Sequence, residues 1–247
     1  MPRMIKVGVL GAAGRMGSTV CEAVMNDDEL ELGARVGRDD PVDFLVESGV
    51  EVAVDFTTPG AVKDNVRFCL EHDIHAVVGT TGLTAVDLAE IESWAKASEA
   101  NCLVAPNFAV GAVLMMQFAA KAVSYFDSAE IIERHHERKL DAPSGTALRT
   151  AELMNAARGA DWVEPAEEKE TLQGSRGGRS DGIHIHSVRA PGYVAHQEVV
   201  LGASGETLTI RHDSVDRVSF MPGVLVAVKR VADGPGLTVG LEHLLDL

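Results

Sequence analysis

The chain has 247 residues, 46% of them hydrophobic, and a formal net charge of -15, a composition typical of a soluble globular protein. Its 37 Asp and Glu against 22 Lys and Arg exclude nucleic acids and acidic membrane surfaces as general partners, because like charges repel. The 3 cysteines include no CxxC pair, which argues against a disulfide framework or a zinc cluster. Without a leader or an apolar run of roughly 20 residues, we expect a cytoplasmic protein.

Strand and helix signals alternate through roughly the first hundred residues, the size of an ordinary domain. The first strand is predicted at IKVGVLG and the first helix at RMGSTVCEAVMND, where apolar residues recur near helical spacing. Further strands are predicted at LELGARV, VAVDFTTP, IHAVVGTTG and NCLVAPNF, and further helices at GAVKDNVRFCLEHD and AVDLAEIESWAKASEA. This order predicts a parallel sheet with right-handed crossovers.

The pattern changes beyond Phe108. A helix is predicted at VGAVLMMQFAAKAVSYF, a strand at SAEIIERHH and a helix at PSGTALRTAELMNAAR, before the polar, glycine-rich passage EEKETLQGSRGGRSDG. The segments IHIHSVRA, AHQEVVLGA and ETLTIRHDS are predicted to be antiparallel strands, and the tail SFMPGVLVAVKRVADGPGLTVGLEHLLDL to be helical. Residues 1–107 with 217–247 therefore form one predicted domain, and residues 108–216 form a second, mixed α+β domain.

Glycine recurs at every third residue of GVLGAAGRMG, between the first predicted strand and the first predicted helix. Glycines there let the backbone approach a pyrophosphate, and the helix N-terminus offers N–H groups and a partial positive charge. The spacing is G-x-x-G-x-x-G, and a tight structural turn is the alternative interpretation. Its place after a strand and before a helix favours dinucleotide binding, with Arg15 and Met16 near the phosphate and adenosine.

The end of the second predicted strand bears on which dinucleotide is bound. An acidic residue there holds the ribose 2′-hydroxyl, whereas a basic residue favours a 2′-phosphate. ARVGRDD has Gly37 at the expected acidic position and Arg38 directly after it, which favours NADPH. The alternative is that Asp39 or Asp40 serves as the acidic residue, which favours NADH.

VDFTTP and VVGTTG place threonines at the carboxyl ends of successive strands, the edge at which open α/β sheets bind ligands. Thr57, Thr58, Thr80 and Thr81 offer hydroxyl groups there, and Gly79 permits close approach of a flat ring. The alternative role of these residues is turn formation.

The stretch ERHHERKLDAPSGTA, residues 133–147, concentrates basic side chains and histidines in an acidic chain. Three interpretations compete: a metal site on the histidines, a solvated charged loop, and a pocket for an anionic substrate beside a proton donor. In a strand, Glu133 and His135 would face one side and Arg134 and His136 the other, so the two histidines need not share a role.

The anion pocket is the favoured interpretation of this stretch. The histidine pair lacks common metal-ligand spacing, and the neighbouring cations would repel a metal ion. Ser144 is placed to cap the next helix, which would offer the amides of Gly145 and Thr146 to an anion. Together with Lys139 and a histidine, this helix N-terminus predicts a receptor for a small carboxylate.

The run HHERKLDAPSGTA, with GVLGAAGRMG, VDFTTP, VVGTTG and APNF, closely resembles the dihydrodipicolinate reductase family, now called 4-hydroxy-tetrahydrodipicolinate reductases. The match covers essentially the whole chain, and its most specific part runs from His135 to Ala147. The resemblance implies an α/β fold, with an N-terminal Rossmann-like parallel sheet and a second mixed α+β substrate and oligomerisation domain. It also implies an NAD(P)H-dependent oxidoreductase of the diaminopimelate route to lysine, acting on a small cyclic dicarboxylate as a homotetramer.

The resemblance also implies roles for individual residues. His135 would be the general acid that protonates the ring as hydride arrives, and Lys139 a second proton donor or electrostatic partner. His136, Lys139, Gly145 and Thr146 would hold the substrate carboxylates. The cofactor would be lined by Gly11, Ala12, Ala13, Gly14, Arg15, Met16, Gly79, Thr80, Thr81, Ala105, Pro106, Asn107 and Phe108, to which ARVGRDD adds Arg38. No metal is implied, and Gly37 departs from the acidic residue of many relatives.

Two other classes of function are weighed against this one. A different two-domain NAD(P)H oxidoreductase would share the glycine loop without needing the HHxxK run and its Ser-Gly-Thr turn. A non-catalytic NADP(H) sensor would bind the cofactor without turnover and would tolerate the loss of Lys139.

Overall fold

The computed structural model describes residues 3–163 and 169–245. The chain divides into two compact units, one comprising Met1–Val110 with Arg217–Leu247 and the other Gly111–Asp216. The outermost residues of the first predicted domain, 1–2 and 246–247, lie outside the described residues. So do residues 164–168, which include the start of the predicted polar passage.

The secondary-structure elements alternate through the first unit and become mixed in the second. The strands are β1 (Ile5–Leu10), β2 (Leu30–Val36), β3 (Val52–Asp55), β4 (His75–Val78), β5 (Cys102–Val104), β6 (Ser128–His135), β7 (Gly178–Ser180), β8 (Ile183–Arg189), β9 (Ala195–Ala203), β10 (Glu206–Ser214) and β11 (Leu237–Val239). The α-helices are α1 (Arg15–Met25), α2 (Phe44–Glu47), α3 (Val62–Glu71), α4 (Ala85–Lys96), α5 (Val110–Ala122), α6 (Gly145–Arg158) and α7 (Met221–Arg230). Single 3₁₀ turns lie at Val123–Tyr125, Arg217–Phe220, Val231–Asp233 and Leu241–Leu244.

The first unit is built on a parallel sheet in the order β11-β5-β4-β3-β1-β2. Its strands are short apolar runs whose side chains, such as Val9, Val54, Val77 and Leu103, are fully or almost fully buried, as expected for a parallel sheet covered on both faces. The chain order reverses between β1 and β3, and this switch point is where such sheets form a ligand crevice at the carboxyl ends of the strands. The Rossmann-like parallel sheet is thereby confirmed.

The second unit is built on a mixed sheet in the order β10-β9-β6-β8-β7. The strands β9 and β10 are antiparallel, as predicted. The prediction was wrong for the main partner of β8, which pairs in parallel with β6 and antiparallel only with the short β7. The reason is that α6 connects β6 to β8 as a crossover, and such a connection brings two strands together in parallel.

Short elements account for the other differences from the predicted fold. The tail predicted to be helical contains β11, which pairs in parallel with β5 and completes the first sheet. Its three residues lie between Gly236 and Gly240, both with positive φ angles, and are too few for an alternating pattern to be seen. The short elements α2 and β7 were likewise not predicted.

One face of the second sheet is covered and the other is open. Along β6, Ala129, Ile131 and Glu133 are buried, whereas Ile132 and Arg134, which alternate with them, are half-buried. The covered face therefore carries Glu133 into the interior of this unit. Among the helices described, none has the length and apolar character needed to cross a membrane.

Candidate active site

A cavity of about 430 Å³ lies at the carboxyl ends of β1, β2 and β3 in the first unit. It is lined by Leu10, Gly11, Ala13, Gly14, Val36, Gly37, Arg38, Asp40, Val42, Phe56, Thr57, Thr58, Ala61 and Asn65. Four residues predicted to contact a dinucleotide, Gly11, Ala13, Gly14 and Arg38, are among them. Its position at the switch point is that of a dinucleotide crevice.

The glycine loop fits an anionic ligand because of its backbone and the helix behind it. Gly11 has a φ of 77°, and a Cβ at this position would lie 2.4 Å from the carbonyl oxygen of Phe56. A Cβ at Gly17 would lie 2.1 Å from the carbonyl oxygen of Gly11, so α1 packs directly against the loop. Gly14 precedes α1 without a side-chain cap, and the first turn holds no acidic residue, which leaves the helix terminus suited to a phosphate.

The rest of the predicted loop lies around this terminus. Ala12 is buried and its N–H donates to the carbonyl oxygen of Val36 at 3.1 Å, which fixes the loop to the end of β2. Arg15 is exposed and Met16 is half-buried in the first turn of α1. These two side chains do not line the cavity as Gly11 and Gly14 do.

Gly37, Arg38 and Asp40 follow β2 and all line the cavity, whereas Asp39 does not. The carboxylate of Asp40 accepts a hydrogen bond of 2.8 Å from the N–H of Gly37. Arg38 is exposed and forms no ion pair with the described part of the chain. A guanidinium group and a carboxylate therefore both border the place where a ribose would bind.

A buried carboxylate organises the threonines at the ends of β3 and β4. Asp55 is 2% exposed. It accepts hydrogen bonds from the Thr57 hydroxyl at 2.8 Å and the Thr80 hydroxyl at 2.6 Å through Oδ1, and from Asn65 at 2.7 Å through Oδ2. The Thr80 hydroxyl is thus bonded to protein, and Thr81 is exposed. Sequence reasoning named these threonines but not the aspartate that holds them.

The other predicted cofactor residues lie at the ends of β4 and β5. A Cβ at Gly79 would lie 2.2 Å from the ring of Phe56, and this ring is tilted against that of Phe108 with 5.8 Å between centroids. Ala105 and Phe108 are buried, Pro106 is exposed, and Asn107 accepts a hydrogen bond of 2.8 Å from the N–H of Ala109. These predicted cofactor residues do not line the cavity of the first unit, whereas Phe56 does. They nevertheless lie at the same edge of the sheet.

In the second unit, the predicted substrate residues lie after β6. The strand ends at His135, so His136 lies beyond it and the expected alternation does not extend to this residue. The chain instead turns: the carbonyl oxygen of His136 accepts a hydrogen bond of 3.1 Å from the N–H of Lys139. The Nδ1 atom of His136 accepts one of 3.2 Å from the N–H of Arg138.

Lys139 is held by a carboxylate of the same turn. Its ammonium group donates to both carboxylate oxygens of Asp141, at 2.9 and 2.8 Å, and this pair lowers the pKa of Asp141 below its usual value. An ammonium group has three donors, so one N–H of Lys139 is left for a further anion.

His135 is held by a buried ion pair. Its Nδ1 lies 2.5 Å from Oε2 of Glu133, a residue that is 0% exposed. Arg189, at the end of β8, donates to both oxygens of Glu133 at 2.7 Å and to the carbonyl oxygen of Asp141 at 2.6 Å. Burial by itself raises the pKa of Glu133, but hydrogen bonds from His135, Arg189 and Ser187 lower this pKa to about 2.

The same carboxylate reaches the N-terminus of α6. The N–H of Ser144 donates to Oε1 of Glu133 at 3.1 Å, and the Ser144 hydroxyl caps the helix by accepting from the N–H of Ala147 at 3.2 Å. Gly145 begins the helix, and beyond its chain neighbours and the backbone of α6 none of the described residues lies within 4 Å of a Cβ there. Thr146 follows in the first turn, which has no acidic residue, so the terminus favours an anion.

Hydrogen bonds therefore join both predicted catalytic residues to the helix cap. The chain of contacts runs from His135 through Glu133 and Arg189 to Asp141 and Lys139, and branches from Glu133 to Ser144. No group of three or more His, Cys, Asp or Glu side chains in the described ranges could hold a metal ion. The geometry brings a histidine, a lysine and a serine-capped helix terminus into one hydrogen-bond network of this unit.

Three residues of this network were not predicted from the sequence as functional. Glu133 had a usable signal, because strand alternation puts it on the face of His135. Arg189 had none, since it is opposite His135 only through the pairing of β6 with β8. Asp141 was part of the run of residues that carried the resemblance, but its contact with Lys139 depends on the turn.

Comparisons with known proteins cover almost the whole chain. The models "Dihydrodipicolinate reductase, N-terminus" and "Dihydrodipicolinate reductase, C-terminus" match residues 5–108 and 111–245. A 4-hydroxy-tetrahydrodipicolinate reductase of Corynebacterium aurimucosum is 55% identical, over 98% of this chain and 99% of the relative. One of Nocardia farcinica is 54% identical, over 98% of this chain and 99% of the relative.

A solved structure agrees with these relatives. It is a dipicolinate-bound dihydrodipicolinate reductase from Paenisporosarcina sp. TG-14, 41% identical to this chain. The two align with a TM-score of 0.89 over 98% of this chain and 100% of that one.

Proposed function

This chain belongs to the dihydrodipicolinate reductase family, and from that premise we propose that it reduces 4-hydroxy-tetrahydrodipicolinate to tetrahydrodipicolinate with NADPH or NADH. The reaction belongs to the diaminopimelate route to lysine. The observation that carries the proposal is the hydrogen-bond network that joins His135, Lys139 and the N-terminus of α6. A sugar or amine substrate would have no use for this dicarboxylate receptor.

The dinucleotide, when bound, supplies a hydride to the substrate ring. The protein's part is to deliver a proton and to hold the charge. With Nδ1 bonded to Glu133, His135 has its Nε2 as the atom that donates a proton to the ring. Histidine is the side chain that most often transfers protons in enzymes, and the reduction consumes one hydride and one proton and releases water.

The cationic turn and the helix terminus bind the two substrate carboxylates. Lys139 contributes its remaining N–H, His136 lies in the same turn, and Gly145 and Thr146 contribute the N-terminus of α6. In the ion pair between Lys139 and Asp141, the aspartate side chain is 61% exposed. Exposed ion pairs contribute only about 0–1 kcal/mol to stability. A substrate carboxylate can therefore share the lysine at little cost.

The dinucleotide belongs in the first unit, at the glycine loop. The loop residues 11–16, Arg38, the segment Gly79–Thr81 and the segment Ala105–Phe108 are the proposed contacts, so residues 1–107 with 217–247 would act as the dinucleotide-binding domain. We expect NADPH to be used at least as well as NADH. Arg38 at the cavity supports this, whereas Asp40, which also lines it, supports NADH.

The second domain, residues 108–216, is proposed to bind the substrate and to join copies of the chain into a homotetramer. The open face of its sheet supports this, since Ile132 and Val200 are only half-buried there. The protein is proposed to act in the cytoplasm. Its cysteines Cys21, Cys69 and Cys102 are free and buried, which fits a reducing compartment.

Turnover of the proposed substrate tests the assignment. The purified protein is supplied with the condensation product of pyruvate and aspartate semialdehyde, and oxidation of NADPH and NADH is followed by absorbance. We expect both cofactors to be oxidised, with inhibition by dipicolinate. Cofactor binding without oxidation would instead support a sensor, and oxidation only with an unrelated substrate would support a different dehydrogenase.

A further inference from the structure

A single carboxylate is the junction of the network around the proposed proton donor. Glu133 is the one charged residue with 0% exposure among those described, and its two oxygens accept from His135, from Arg189 twice and from Ser144. Together with the hydrogen bond from Ser187, these contacts fill the roughly four lone-pair sites of a carboxylate. Its oxygens are therefore fixed in position from three sides of the unit.

We propose that Glu133 is the positioning residue of the reaction: it holds His135 with Nδ1 protonated, turns Nε2 towards the substrate and lies as the counter-charge beside the ring that donates the proton. This inference rests on the proposed function, in which His135 is the acid. The hydrogen bond that one ring nitrogen makes decides which proton the other nitrogen carries, and Glu133 Oε2 is an acceptor 2.5 Å from Nδ1.

The surrounding charges explain why Glu133 remains ionised when it is buried. The bidentate contact with Arg189 raises the pKa of that guanidinium and belongs to the strong class of charge-assisted hydrogen bonds. Glu133, on the same strand as His135, contacts the ring, and the network continues through Arg189 on β8 to Asp141 and Lys139 in the turn. The ionised carboxylate lies in hydrogen-bond contact with the ring, as the acceptor for its Nδ1 proton.

The contact to Ser144 adds a second function for the same carboxylate. Because Oε1 accepts from the N–H that precedes α6, Glu133 fixes the helix terminus proposed to bind a substrate carboxylate. The proton donor and the carboxylate receptor are thus positioned by one side chain. A residue with only a structural role would not be expected to alter how the rate depends on pH.

The test compares two variants. Glu133→Gln keeps the size of the side chain and removes its charge. Glu133→Asp keeps the charge but has a shorter side chain, which moves the carboxylate away from the ring. For Glu133→Gln we expect kcat/KM to fall by about 10²-fold or more and the alkaline limb of its pH profile to move to lower pH. For Glu133→Asp we expect a fall of about 10-fold or more with the alkaline limb near that of the unmodified protein. NADPH affinity, measured by calorimetry, should change in neither.

Glu130→Gln is the matched control. Glu130 lies on the same strand and also pairs with an arginine and a histidine, Arg176 at 2.6 Å and His186 at 2.8 Å, but on the open face of the sheet. We expect it to keep the rate and pH profile of the unmodified protein. Light scattering and melting temperatures show whether any variant differs in assembly or folding.

A measurement without turnover separates this inference from the proposed function. Dipicolinate is titrated at pH 8 in buffers of different ionisation enthalpy, which reports the protons taken up on binding. The unmodified protein and Glu130→Gln should take up a proton fraction that Glu133→Gln lacks. Failure of the unmodified protein to reduce the substrate would overturn the proposed function, and proton uptake would still decide the role of Glu133.

The inference is overturned if Glu133→Gln keeps kcat/KM within about twofold, with the alkaline limb and the proton uptake unchanged. Should Glu133→Gln fail to fold, Glu133→Asp decides: a full rate overturns the inference, because positioning depends on the distance between the carboxylate and the ring. A fall of about 10-fold or more at an unchanged melting temperature supports it.

Discussion

His135 and Lys139 are the two side chains on which the proposed chemistry depends. We expect His135→Gln and Lys139→Ala each to lower kcat by about 10²- to 10⁴-fold, the usual contribution of a general acid. Lys139→Ala should also raise KM, because a cation paired with a substrate carboxylate contributes before the reaction. NADPH affinity, measured by calorimetry, should be unchanged in both.

Arg138→Ala is the control for these two variants. Its side chain is 84% exposed and contacts Glu137, so it removes a cation from the same turn without touching the network. Normal turnover is expected. If His135→Gln and Lys139→Ala also turned over normally, the assigned roles would be wrong. A sensor would be indicated if the unmodified protein bound the cofactor without turnover and Lys139→Ala bound it equally well.

We expect the cofactor preference to depend on Arg38 and Asp40. A charge-assisted contact between Arg38 and a 2′-phosphate contributes about 1.5–3 kcal/mol, less where solvent screens it. We therefore expect Arg38→Ala to weaken NADPH selectively by up to about 10-fold and to leave NADH almost unchanged. Steady-state kinetics with both cofactors measure this.

Asp40→Asn distinguishes the alternative. If the carboxylate of Asp40, anchored 2.8 Å from the N–H of Gly37, holds the ribose hydroxyls, this variant should weaken NADH. An equal loss of both cofactors in Arg38→Ala, or a strong preference for NADH in the unmodified protein, would contradict the assignment of Arg38.

Single residues differ in how far the sequence predicts them. The cap at Ser144 was predictable because serine followed by a helical pattern satisfies the first amides locally. The contact between Glu133 and Arg189 was not, because 56 residues separate its partners in sequence. Likewise, no local pattern shows that Asp55 at the end of β3 accepts a hydrogen bond from the hydroxyl of Thr80, which follows β4.

The junction of β1, the glycine loop and α1 is the element on which we expect cofactor binding to depend. A Cβ at Gly17 would lie 2.1 Å from the backbone oxygen of Gly11. Because the contact is with backbone, no flexible side chain can move aside to relieve it. We expect Gly17→Ala to push α1 off the loop, to destabilise the fold by about 1–3 kcal/mol and to abolish measurable NADPH binding. Urea unfolding and calorimetry test this.

Gly60→Ala is the matched control for this element. Apart from its two chain neighbours, none of the described residues lies within 4 Å of a Cβ at Gly60, so the change should stay within about 0.5 kcal/mol. Unimpaired NADPH binding by Gly17→Ala would show that the loop tolerates the methyl group, and the role given to this junction would then be wrong.

Elements are predictable where their own residues determine them. The strands β1 to β5 are apolar runs ended by glycine, proline or a polar turn, and their bounds differ from the prediction mainly at these ends, as for β3, which stops at Asp55. The pairing of β8 with β6 was missed because it depends on the α6 crossover. The three-residue β7 and β11 are fixed by partners rather than by a pattern of their own.

The net charge of the whole molecule and the hydrogen bonds of its carboxylates act in opposite directions on its stability in acid. A formal net charge of -15 opposes compact folding at neutral pH through self-repulsion. Mild acidification reduces this repulsion. At lower pH, several hydrogen-bonded carboxylates instead destabilise the folded state as they become protonated. Their pKa values are lowered in the folded state, as for Asp27, Glu130, Glu133 and Asp213.

The stability of the protein should therefore fall steeply below about pH 4.5. The folded pKa of Glu133 is about 2 against an ordinary value of 4.5, so the unfolded chain binds its proton first as the pH falls. The stabilisation from this group is complete above the unfolded pKa and is lost as the pH falls towards the folded one. The stabilisation from Glu133 amounts to on the order of 3 kcal/mol. Glu133→Gln should therefore remove this part of the acid dependence and lower the stability at pH 7. Urea midpoints at pH 7, 5.5 and 3.5 measure both effects, and an acid dependence identical in the variant would show that other carboxylates carry it.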